Sequence, residues 1–100
     1  MNTRRPIKKL GYSFSALEIT KLVSRYLNGV RGAKSYATVR TLSNWLRIDM
    51  SDVSAGLEAA LAAGFLVREG VSPSGVWVAY RVSDAGRRAL ADDFHRRKNA

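Results

Sequence analysis

Thr38–Gly64, TVRTLSNWLRIDMSDVSAGLEAALAAG, is the stretch whose reading decides the fold. Leu42 and Leu46 mark one short apolar helical face, with Val39 and Trp45 beside them. Val53, Leu57, Ala60 and Leu61 mark a second face, at the spacing of a helix that buries one side. Only Arg47-Ile48-Asp49 separates the two. So tight a turn forbids side-by-side packing, so the helices must cross steeply. Thr38 is placed to cap the first of them. Asp49 is placed to cap the second, with Asp52 at its N3 position and Gly64 as the C′ residue. The second helix is expected over 50–63.

Working outward on the N-terminal side, Ser15 and Glu18 form a capping box, and Phe14 and Ile19 form its hydrophobic staple. Ile19, Leu22, Val23, Tyr26, Leu27 and Val30 follow as one apolar face. Lys21, Ser24 and Arg25 are left outward, and Asn28-Gly29 are expected to end the helix in left-handed conformations. Ser35-Tyr36-Ala37 suits a very short strand. Residues 1–11 read as a basic flexible arm carrying Arg4, Arg5, Lys8 and Lys9 around Pro6.

On the C-terminal side, Phe65–Arg68 and Val76–Val82 read as two strands joined by a loop rich in glycine, serine and proline. Val76, Val78, Tyr80 and Val82 share one face; Trp77, Ala79 and Arg81 share the other. Ser83 caps a last helix, Asp84 to about Arg97, with Ala85, Ala89, Leu90 and Phe94 as its inner positions. The expected class is mainly α with a small β-hairpin. Residues 12–98 form a single domain, since 100 residues suffice for one core and not two.

Composition narrows the chemistry. Seventeen Lys and Arg against eight Asp and Glu give a net charge of +9, which points to a polyanionic partner, nucleic acid first. With no cysteine there is no disulfide frame and no thiolate zinc site. The N-terminus lacks the apolar core of a secretory signal, and no apolar run reaches the roughly 20 residues of a membrane span. The expectation is a soluble cytoplasmic protein without membrane contact. The only histidine, His95, sits among like charges, and Asp92 and Asp93 point to different sides of a helix. No phosphate loop, nucleophile elbow or metal-ligand spacing is present, so neither an enzyme nor a cofactor is expected.

The order helix, short strand, helix, turn, helix, hairpin, helix resembles the winged helix-turn-helix. LSNWLRIDMSDVSAGLEAALAAGFLV resembles the corresponding unit of MarR-like transcriptional regulators, with Val53, Leu57, Ala60 and Gly64 at matching spacings. YRVSDAGRRAL resembles the family's passage from hairpin to final helix, with Val82, Ser83 and Gly86 at the matching places. The resemblance covers about residues 36–90. It departs from the family at the turn, where Arg47 replaces glycine, and in the second helix of the unit, which holds acids and no lysine or arginine.

The resemblance implies a nucleoid-associated regulator of transcription that binds double-stranded DNA. It puts Met50, Ser51, Asp52, Ser54, Ala55 and Glu58 toward base edges in the major groove. It puts Arg40, Arg47, Arg68 and Arg81, with Arg4, Arg5, Lys8 and Lys9 of the arm, on the phosphate backbone. It also implies a homodimer through the first and last helices, with Tyr12, Phe14, Leu90 and Phe94 as interface candidates. The acidic helix 50–63 supports an alternative, a winged-helix module that binds another protein through that helix in a transcription, replication or virus-encoded assembly.

Overall fold

A computed structural model describes residues 13–29, 36–70 and 78–98. Among them are four helices, α1 (Ala16–Gly29), α2 (Val39–Leu46), α3 (Met50–Ala62) and α4 (Asp84–Lys98). Two antiparallel strands, β1 (Leu66–Gly70) and β2 (Val78–Val82), lie between α3 and α4. The protein is thus mainly helical with a small hairpin. The arm over 1–11, Tyr12, Val30, and Val76 with Trp77 lie outside the described residues.

Each helix of the first three begins as its sequence dictates. At α1 the Ser15 amide donates to Glu18 Oε1 at 2.9 Å, and the Glu18 amide donates to Ser15 Oγ at 3.1 Å. At α2 Thr38 and Thr41 make the reciprocal pair, with Thr41 in the place usually held by Glu or Gln. At α3 the Asp49 carboxylate accepts from the Ser51 amide at 3.0 Å.

The core joins Ile19 and Val23 of α1, Leu42 of α2, Val53, Leu57 and Ala60 of α3, and Leu66 and Tyr80 of the hairpin. Burial of each large side chain contributes about 1.5–3 kcal/mol. Gly56 lets α1 close on α3: a Cβ there would lie 3.0 Å from Phe14 Cβ. Trp45 meets Tyr26 edge-on, ring centroids 5.2 Å apart, tying α2 to α1.

Three expectations need correcting. Strand β1 runs Leu66–Gly70 and not Phe65–Arg68. Phe65 is used to finish α3, its amide donating to the Ala60 carbonyl while Gly64, at φ 81, donates to Leu61. Asn28 and Gly29 are not left-handed; among the described residues only Arg47 and Gly64 have positive φ. Of the short strand expected over Ser35-Tyr36-Ala37, Ser35 lies outside the described residues, and the described part holds one bridge, Ala37 against Tyr80, made by the Tyr80 amide donating to the Ala37 carbonyl at 2.8 Å.

The inner face of α4 also differs. Ala85 is exposed and Phe94 is 60% exposed, whereas Gly86 is buried. A Cβ on Gly86 would lie 2.2 Å from the Phe65 carbonyl oxygen, so this glycine sets how closely and in what rotation α4 meets the hairpin base. From Gly86 the inward series continues through Ala89, Leu90 and Asp93. Lys21 is not left outward: its Nζ lies 2.7 Å from Asp93 Oδ2, linking α1 to α4.

Candidate functional site

The turn between α2 and α3 is fixed by Ser43. This side chain is fully buried, and its Oγ donates to the Ile48 carbonyl at 2.6 Å. Its carbonyl accepts from the amides of Arg47 and Ile48 at 2.8 and 3.2 Å. Arg47 is thereby held at φ 61, ψ 44, the left-handed region that a glycine would occupy at lower cost. Ile48, almost fully buried, then turns the chain into Asp49 and α3.

On α3 the exposed residues Ser51, Ala55, Glu58, Ala59 and Ala62 repeat at helical spacing and form one stripe. Met50 precedes them, 45% exposed. Of the six residues expected to face bases, Met50, Ser51, Ala55 and Glu58 are open, while Asp52 and Ser54 are half-buried. The Ser51 hydroxyl donates to Asp49 Oδ2 at 2.5 Å, so the Asp49 carboxylate serves both the amide and the hydroxyl of Ser51.

The four expected phosphate ligands outside the arm fall into two pairs. Arg40 and Arg47 are exposed, one in the first turn of α2 and one just past its end. Neither has an ion-pair partner among the described residues, which hold all eight acidic side chains of the chain. Arg68 and Arg81 are already paired. Arg68 Nη1 lies 3.5 Å from Glu58 Oε2 of α3, and Arg81 Nε lies 3.3 Å from Glu69 Oε1 across the hairpin. Exposed pairs of this kind are worth about 0–1 kcal/mol, so a phosphate could displace either carboxylate. Arg4, Arg5, Lys8 and Lys9 lie outside the described residues.

Among the expected dimer residues, Phe14 is unavailable because it is buried against Gly56. Leu90 is half-buried, Phe94 is open, and Tyr12 lies outside the described residues.

Sequence reasoning missed Ser43, Gly56 and the Lys21–Asp93–Arg97 link, and it placed Gly86 by resemblance alone, without its close approach to Phe65. The signal for the two glycines was present: each is a residue without a side chain on the inner face of a helix, where another backbone or ring comes close. No comparable signal marks Ser43, which reads from sequence as an ordinary polar position in α2.

Among the described residues there is no group of three His, Asp or Glu placed to hold a metal ion, and no helix long and apolar enough to cross a membrane. In comparisons with known proteins, no family model, curated protein or solved structure matches the chain.

Proposed function

We propose that the chain is a small winged helix-turn-helix protein that binds double-stranded DNA as a sequence-specific regulator of transcription. In this reading α3 enters the major groove, the hairpin is the wing, and the protein works on the chromosome in the cytoplasm. The observation that carries the reading is the pair Arg40 and Arg47. They are exposed, unneutralised cations at the two ends of the helix leading into α3. The order of elements supports it, as does the outward stripe of α3, which offers a hydroxyl at Ser51, a methyl at Ala55 and a carboxylate at Glu58 to base edges.

The reading assigns each residue a role. Arg40 and Arg47 hold phosphates on either side of α2 and set the angle at which α3 arrives. Ser51 and Ala55 meet base edges through a hydroxyl and a methyl. Glu58 accepts from cytosine N4 and in doing so releases Arg68 to a phosphate. Affinity comes from α2 and the hairpin, and selectivity comes from α3.

The test is charge reversal of both cations, Arg40→Glu with Arg47→Glu, in a protein shown by circular dichroism to remain folded. Retention on duplex DNA selected from a random pool is expected to disappear. Undiminished duplex binding by the double variant would defeat the proposal. Capture of a protein partner through α3 that survives both substitutions, with no DNA selected at all, would favour the interaction-module reading instead.

A further inference from the structure

Helices α1 and α4 leave a shallow groove of about 430 Å³ between them, lined by Lys21, Ser24, Arg25, Leu90, Asp93, Phe94 and Arg97. Its apolar part is Leu90 and Phe94, the latter 60% exposed and touching the His95 ring edge-on at a centroid distance of 5.8 Å. Its polar part is basic. Asp93 is shared by Lys21 at 2.7 Å and Arg97 at 3.1 Å, while Arg25 is exposed and has no ion-pair partner among the described residues. Three cations therefore face one carboxylate around two apolar side chains.

We propose that this groove docks an acidic amphipathic helix of a partner protein. The apolar stripe of that helix lies on Leu90 and Phe94, and carboxylates flanking the stripe meet Arg25, Lys21 and Arg97. Charge and apolarity together select this occupant. A second copy of the chain, docked face to face, brings the same three cations against their own counterparts, which is unfavourable. A DNA backbone satisfies the arginines but offers nothing apolar to cover Phe94. None of the lining residues is among the proposed DNA contacts, so the two proposals fail or succeed separately.

The probe is a synthetic helix with leucines at i, i+3, i+4 and i+7 and glutamates on both flanks. A scrambled peptide of the same composition and a single-stranded oligonucleotide of matched charge are titrated alongside it into the full chain. The amphipathic helix is expected to bind about tenfold or more tightly than either control. Phe94→Ser and Arg25→Glu, both at exposed positions, are each expected to weaken it by about tenfold while duplex DNA binding is retained. Four results would overturn the proposal: no binding of the helix, equal binding of the scrambled peptide or the oligonucleotide, affinity unchanged in Phe94→Ser, or sedimentation showing that Phe94 mediates self-association.

Discussion

Arg47 occupies a backbone conformation that disfavours any side chain, and it does so at an exposed position. A left-handed residue with a Cβ costs on the order of 1 kcal/mol relative to an unstrained one. The surroundings over-determine the turn: Ser43 binds it through both its carbonyl and its hydroxyl. Under the proposed function, this strain is offset by the phosphate contact that the exposed guanidinium makes. Arg47→Gly is accordingly expected to leave stability unchanged or raise it by up to about 1 kcal/mol, read from urea unfolding. The same variant should bind duplex DNA more weakly. A variant that lost stability and kept its affinity would reverse both halves of the argument.

At this scale the sequence was readable wherever one residue type has one local task. Ser15 with Glu18, Thr38, Asp49 and Gly64 all cap where their chemistry predicts. It was unreadable where a long-range neighbour decides. Whether Arg68 and Arg81 are open cations depends on Glu58 and Glu69, brought to them only by the hairpin register and the packing of α3 on β1.

Among the elements, α4 depends most on tertiary contact. Its mean character is strongly polar, and it is held at Gly86 and through Asp93. The apolar periodicity Ala85, Ala89, Leu90, Phe94 placed Ala89 and Leu90 on the inner face but misplaced Ala85 and Phe94, because the phase of the helix is set by Gly86, which carries no hydrophobic signal. Gly86→Ala places a methyl 2.2 Å from the Phe65 carbonyl oxygen and 2.9 Å from Val82 Cγ1. Backbone must move to admit it, and a loss of about 1–3 kcal/mol is expected in chemical denaturation.

The far half of α4 is sensitive to acid. The hydrogen bond from Lys21, aided by the charges of Lys21, Arg97 and Arg96, lowers the Asp93 carboxyl below the usual aspartate value against an opposing effect of burial. A depressed carboxyl contributes stability that is complete above its unfolded value and lost as pH falls through its folded one. Asp93→Asn should therefore lower the melting temperature at neutral pH. It should also flatten the decline expected of the native chain below about pH 4. Parallel pH curves for the two proteins would dissociate Asp93 from the acid response.

For the whole molecule, charge is the largest single feature. The cations behind the net charge of +9 are spread over the arm, α1, residues 31–34, α2 and the turn after it, the hairpin and α4, while α3 carries Asp52 and Glu58 and no cation. Under the proposed function, affinity for duplex DNA falls steeply with salt, by about 10²-fold between 50 and 200 mM if some four phosphates are contacted. Arg40→Ala and Arg47→Ala should each reduce the log–log slope by about one, in titrations at several salt concentrations. A salt-independent affinity would be incompatible with phosphate contacts by these residues.

Between the end of α3 and the start of α4 the chain closes on itself. Ser83 Oγ donates to the Gly64 carbonyl at 2.5 Å, the Ser83 amide donates to the Phe65 carbonyl at 2.9 Å, and the Gly86 amide returns to Ser83 Oγ at 3.0 Å. The carbonyls of Gly64 and Phe65, just past the end of α3, are thus both satisfied by Ser83, nearly twenty positions further along. A fragment cut after β2 would strip the donor from both, uncover Gly86's packing surface and leave the hairpin without its base. The smallest piece of this chain able to present α3 is consequently not the two-helix unit of α2 and α3 alone. It must extend from Phe14, just before the α1 cap, through the first turn of α4.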